Sequence, residues 1–316
     1  MEEQEQKLST DLILKYGTIN WKELVENEKL SEDFLEQHFD DIGPDSIVQH
    51  QNLSIEFIDK FKDSLDMLLV VECQELTEEF INDNIAALQI PSVIHYQKLS
   101  EKFIREHFDD LNFGDNFLGF VTKYQKLTVD FFDEQILPNI VGKKYGDVIC
   151  NAVMYQNFPT SYFISNFNTF NSNILKYSKD YFDRRHGVSK KFIRTLAQYQ
   201  KLNSYDVQFI YKHIQDEELD FKNDIYEIFL RYQQLDTSIL VSFITIGIID
   251  ERLMRVLIKY QKLHEDFIKS YIDIQDYLSY LIAYQNLSDE FFISHKLQIS
   301  ENMKNLLESN YETYTF

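Results

Sequence analysis

The chain has 316 residues, 44% of them hydrophobic and 26% charged, which supplies apolar side chains for a sizeable core and excludes a disordered polymer. Its net charge of −21 is uneven, −18 over residues 1–150 and −3 over 151–316, and a field of that sign repels nucleic acid and anionic membrane while attracting basic proteins. Two cysteines, Cys73 and Cys150, exclude a disulfide framework and a cysteine zinc site, and 8 Gly and 4 Pro beside 26 Phe and 20 Tyr favour helices around an aromatic core over a β-sandwich.

Residues 1–7 are acidic and polar, without the basic start and apolar stretch of a secretory signal, so a cytoplasmic location is expected. A Leu-Ser or Leu-Thr step then recurs at Leu8-Ser9, Leu30-Ser31, Leu53-Ser54 and Leu76-Thr77. From residue 96 it sits inside a longer signature, Tyr96-Gln97-Lys98-Leu99-Ser100-Glu101-Lys102-Phe103-Ile104. Copies begin at Tyr124, Tyr199, Tyr232, Tyr260 and Tyr284, and Tyr155-Gln156-Asn157-Phe158 is a variant. Successive Leu positions, with Phe158 standing in for one, lie 22, 23, 23, 23, 28, 31, 44, 33, 28 and 24 residues apart, so the first third is regular and the middle carries insertions.

Each copy translates into a helical hairpin. Ser31, Ser54, Thr77, Ser100, Thr128 and Ser288 read as N-caps, and the acidic pairs behind them, such as Glu32-Asp33, Glu78-Glu79, Glu265-Asp266 and Asp289-Glu290, suit the positive end of a helix dipole. The following Phe-Ile pair and an apolar residue such as Leu111 form the buried side of helix A. A turn marked by Gly43-Pro44 or Gly114 leads to helix B, for example residues 117–124 with Phe117, Leu118, Val121 and Tyr124 on one side. A single hairpin of this length cannot bury its own apolar faces. The expectation is therefore an all-α fold, an α-solenoid of about ten stacked short hairpins that is irregular in the middle. Its divisions are an acidic N-terminal array (1–157), an irregular basic insertion (158–201) and a C-terminal array (202–316) within one continuous solenoid. The Tyr of each signature is expected to pack between units, and its Gln to pair with the backbone of the neighbouring A/B turn; a binding stripe of Tyr and Gln is the alternative. Residues 239–249, the longest apolar run, fall short of a membrane span and read as a buried helix.

The string Tyr-Gln-Lys-Leu-Ser-Glu-x-Phe-Ile resembles a repeat of about 23 residues found in uncharacterised proteins of tailed bacteriophages and large DNA viruses. That repeat often carries an Asp-Lys-Val-x-Trp segment, to which only Thr18-Ile19-Asn20-Trp21 is similar here. The resemblance covers nearly the whole chain and implies a viral origin; it brings no catalytic residues.

A Gly-rich phosphate loop, a His or Cys pair at metal spacing and a Gly-x-Ser-x-Gly elbow are all missing from the sequence, so no enzyme and no cofactor is expected. His38 and His107 occupy one equivalent position, each before Phe-Asp-Asp, as part of the repeat. The exception to regularity is residues 166–191, where Asn166, Asn168, Asn171 and Asn173 precede a basic cluster. Lys176, Lys179, Arg184, Arg185, His186, Lys190, Lys191 and, just beyond, Arg194 are the candidate binding residues, either a loop site or a solvated connection. A second insertion over 135–147 holds Pro138, Gly142, Lys143, Lys144 and Gly146. Three functions compete: a scaffold for a host or viral protein partner; an acidic mimic of nucleic acid that inhibits a host defence or nucleic-acid-handling enzyme; and a phosphate or small-ligand binder at the basic insertion. Direct nucleic-acid binding and membrane association are not expected.

Overall fold

The computed structural model describes residues 20–112, 114, 116–140, 142–177 and 189–294. Among them the secondary structure is entirely helical, and the chain divides into two compact units, Met1–Ile140 and Val141–Phe316. The division lies in the 135–147 segment marked by Pro138, Gly142 and Gly146.

In the first unit α1 (Trp21–Asn27) is followed by α2 (Glu32–Gln37), α3 (Phe39–Ile42) and α4 (Pro44–His50). Then come α5 (Ile55–Phe61), α6 (Met67–Cys73), α7 (Glu78–Asn84), α8 (Ile90–Tyr96), α9 (Glu101–Glu106), α10 (Phe108–Leu111), α11 (Phe117–Tyr124) and α12 (Val129–Phe131). Helix α12 runs on into π and 3₁₀ turns over Phe132–Ile136 and Leu137–Asn139. The second unit holds α13 (Tyr145–Tyr155), α14 (Thr160–Ser165), α15 (Phe167–Tyr177), α16 (Lys190–Tyr199), α17 (Ser204–His213), α18 (Leu219–Tyr232), α19 (Thr237–Thr245), α20 (Glu251–Tyr260), α21 (Glu265–Tyr271), α22 (Ile274–Tyr284) and α23 (Asp289–Ser294).

The expected hairpin chemistry sets these boundaries. The side chains of Ser31, Ser54, Thr77, Ser100 and Thr128 accept from the amides of Phe34, Phe57, Phe80, Phe103 and Phe131, and so start the A helices. Gly43 and Gly114 hold positive φ of 88° and 102° ahead of α4 and α11, a region closed to most side chains. B helices stack in series, α1 on α4, α4 on α6, α6 on α8 and α8 on α11 in one unit, and α13, α16, α18, α20 and α22 in turn in the other. Two consecutive buried residues in each B helix serve the two neighbours. Ile47 packs with Val25, Leu35, Ile42 and Phe57, whereas Val48 packs with Ile58, Leu65, Val70 and Phe80. A helix of seven residues is too short to persist alone, so this two-sided burial is what sustains it.

The middle of the chain departs from the expected loop. Residues 160–177 form α14 and α15, two helices separated at Asn166, just as α2 and α3 are separated at His38 and α9 and α10 at His107. The Asn-rich stretch is therefore a lengthened version of the same broken helix A. Asn171 is buried and its Oδ1 accepts from the Ser189 amide at 2.7 Å, which explains an amide residue on an apolar face. The apolar run 239–249 is helical only to Thr245: Gly247 takes φ +76°, and Ile246 is exposed while Ile239, Leu240 and Phe243 are buried. Among the described residues no helix is long and apolar enough to cross a membrane.

The signature glutamine is the main polar element of the core, and it does not bond where the sequence reading places it. Its partners are the end of the preceding B helix and the link that follows, rather than an A/B turn. Gln97 donates through Nε2 to the carbonyls of Val71 (2.5 Å) and Gln74 (2.8 Å), and its Oε1 accepts from the Leu76 amide (2.9 Å). Gln51, Gln74 and Gln125 repeat the arrangement in the first unit, and Gln233, Gln261 and Gln285 in the second. Carbonyls left over at a helix C-terminus need partners, and each glutamine supplies two donors and one acceptor to the unit before it. Truncation would leave two carbonyls and an amide unpaired in the core. We expect Gln97→Ala to cost about 3 kcal/mol in urea unfolding, against less than ~0.5 kcal/mol for its exposed neighbour Lys98→Ala.

Candidate functional site

Three features recur on the surface of the stacked hairpins, and each begins with a position in the repeat. The first is the acidic residue that opens helix A. Beyond facing the helix dipole, it reaches the next hairpin: the Glu32 carboxylate accepts from the Ser54 amide (2.5 Å) and hydroxyl (2.8 Å), and Glu78 accepts likewise from Ser100 (2.5 and 3.1 Å). Glu101 takes the Thr128 amide and hydroxyl, and Glu265 the Ser288 amide at 2.6 Å. In Glu265 the Ser288 amide is the largest cause of a carboxyl held below its usual range, followed by the Ser288 hydroxyl. One residue further on, Asp33, Glu56, Glu79 and Asp130 are exposed, with Lys102 interrupting the row.

The second feature is the basic segment. Lys179, Arg184, Arg185 and His186 lie outside the described residues. The described members are engaged by carboxylates of neighbouring elements: Lys190 with Glu218 (3.6 Å), Lys191 with Asp147 (2.6 Å) and Arg194 with Asp224. Lys190 and Arg194 also lie over the Phe221 ring, at 5.5 and 5.2 Å. Burial is the largest influence on Lys191 and works against its charge, but the Asp147 carboxylate and the Cys150 thiol together hold the ammonium above its ordinary range. Lys176, at the last turn of α15, sits over Tyr177 at 5.2 Å. These three ion pairs fasten α16 to α13, to the start of α18 and to its middle. Lys190, Lys191 and Arg194 thus each meet a carboxylate of a neighbouring element.

The third feature is the signature tyrosine, which the sequence reading packs between units. Instead Tyr155, Tyr199, Tyr232, Tyr260 and Tyr284 are 51%, 52%, 55%, 39% and 39% exposed, each at the last position of a B helix. The residue before it lies over the tyrosine of the next helix. His95 of α8 meets the Tyr124 ring at 4.0 Å between centroids; Arg231 of α18 sits 4.9 Å over Tyr260 and donates to its hydroxyl at 2.8 Å; Lys259 of α20 lies 5.2 Å from the Tyr284 ring. Each such pair spans two consecutive B helices. Sequence spacing alone could have found them, since a basic or His residue directly before the signature Tyr recurs at 95, 123, 231 and 259.

The repeated histidines pack within the repeat, as expected: His38 pairs with Asp41 (3.2 Å) and lies tilted against Phe34, and His107 pairs with Asp110 (3.5 Å) and lies tilted against Phe103. Burial pushes the Cys150 thiol up, which keeps it protonated. Among the described residues no three His, Cys, Asp or Glu side chains converge as metal ligands would. Comparison with family models, with curated proteins and with solved structures gave no match.

A depressed carboxyl contributes stability above its unfolded value, near 4.5, and loses it as pH falls through the lower folded value. Glu265 is such a group. Glu265→Gln should lower the stability of the chain at pH 7 and leave it less acid-sensitive below pH about 4.5, as measured by urea unfolding at pH 7 and pH 3. A variant whose acid sensitivity matches the wild type would remove the link between Glu265 and Ser288.

Proposed function

We propose that the chain is a non-enzymatic helical-repeat scaffold, a solenoid of about ten stacked hairpins whose exposed helix positions hold a host or viral protein partner. The reading is carried by one observation: the glutamines are committed to the frame of the repeat, whereas the tyrosines at the B-helix ends are exposed in fixed order. Tyrosine and arginine are the residues that most often anchor protein interfaces, because each offers a large flat surface and hydrogen bonds at little cost in side-chain freedom. A frame of this kind supplies shape and surface, and stacked repeats present both over a long face.

A second reading is favoured by the exposed row of Asp33, Glu56, Glu79 and Asp130 in the first unit. Carboxylates at this position in the first three hairpins and again at Asp130, with Lys102 between, lie about 8–10 Å apart where consecutive helices pack at ordinary distances, which suits a mimic of nucleic acid that blocks a basic, nucleic-acid-handling enzyme.

The two readings separate by competition. A partner captured on the immobilised full chain is footprinted by hydrogen exchange and challenged with duplex DNA and with salt. The scaffold reading expects slowed exchange at B-helix ends and a complex that DNA leaves intact; the mimic expects displacement by DNA and loss in the triple variant Asp33→Lys, Glu56→Lys, Glu79→Lys. Absence of any partner at low and moderate salt would defeat both.

A further inference from the structure

We propose that the first unit tightens as ionic strength rises and the second does not, so that salt sets which of the two opens more readily. The proposal does not depend on either functional reading, because it concerns the free chain.

Charge divides along the same line as the fold. Residues 1–140 hold 30 acidic and 11 basic side chains, net −19, whereas residues 141–316 hold 22 and 20, net −2. In the first unit the repeat itself holds the excess in close order. The Glu32 carboxylate bonds the cap Ser54, and Glu78 bonds Ser100, which joins the start of one helix A to the start of the next. Asp33 and Glu56, both exposed, stand at the two ends of the first join, and exposed Glu79 follows one hairpin on. Asp45, Asp66, Glu72 and Asp83 add exposed carboxylates on the helices and links between them. Folding this unit therefore gathers like charges, a cost that counterions relieve.

Two lengths place the response. Consecutive packed helices set equivalent side chains about 8–10 Å apart. The screening length is about 30 Å at 0.01 M salt, about 10 Å at 0.1 M and about 3 Å at 1 M. Carboxylates of neighbouring hairpins thus repel one another at the lowest of these concentrations and are screened at the highest. The second unit lacks that excess, and ion pairs cross its stacked B helices: Lys191 with Asp147, Arg194 with Asp224 and Arg252 with Glu227. Salt weakens attraction of this kind, slightly, since the pairs are partly exposed.

Hydrogen exchange with mass spectrometry on the full chain reads both units at once, at neutral pH in about 0.01 M and about 1 M sodium chloride, with rates normalised to the unfolded chain. Exchange in α5 and α7 should slow about tenfold across that range, while exchange in α18 and α20 holds or quickens. The variant Glu56→Lys, Glu72→Lys, Glu79→Lys, Asp83→Lys takes the first unit from net −19 to −11. Two of its changes lie in first helical turns and two in last turns, so their effects on the helix dipoles oppose one another. It should exchange more slowly than the wild type at low salt and respond to salt by only about threefold. Equal slowing in both units would assign the effect to salt in general. No slowing in α5 and α7, or a full tenfold response in the variant, would remove self-repulsion as the cause, and any of these results overturns the proposal.

Discussion

The side-chain amide of one glutamine per hairpin is the interaction on which the other features of each unit depend. A B helix of seven to fourteen residues ends with carbonyls that its own backbone cannot satisfy, and the glutamine that closes it is buried. Gln233, for example, is itself the residue that closes α18, and its side chain reaches back to the carbonyls of Ala197 and Gln200 and to the Leu202 amide. Because each glutamine also offers its own backbone carbonyl to the next, the bonds form a chain from hairpin to hairpin. Asparagine would be too short to span this gap, and glutamate would bring an unpaired charge and lose both donors.

Around that polar thread, the apolar packing has a simple rule. Adjacent buried residues on each B helix, such as Ile47 and Val48, face opposite neighbours, so one short helix belongs to two cores. Stability then resides in interfaces between successive hairpins rather than in the hairpins themselves. The interhelical ion pair of Arg194 with Asp224 contributes less, since exposed ion pairs are screened.

The same division of labour leaves the ends of the B helices exposed. Positions facing along the stack are spent on glutamine, valine, isoleucine and leucine; the last residue of each B helix is not, and tyrosine occupies it from Tyr96 onward. The first three equivalent positions hold Asn27, His50 and Cys73 instead, so the tyrosine at this place begins partway through the first unit.

Much of this was legible without coordinates, because caps, alternation and the repeat period are local. Ser100 and Thr128 as helix starts, residues 117–124 as a B helix and the burial of Leu99, Leu111 and Leu127 follow from hydrogen bonding within one turn and from which side chains cannot face water. The identity of long-range partners was not. That Gln97 would seek Val71 and Gln74, 26 and 23 residues back, or that Tyr260 would lie under Arg231 of the preceding helix, depends on how far one hairpin is rotated against the next. That rotation is settled by packing between hairpins, which no single repeat encodes in a form that can be read along the chain. The basic cluster illustrates the same limit: the sequence brought Lys190, Lys191 and Arg194 together as charges, and only the tertiary structure supplied Glu218, Asp147 and Asp224 to meet them.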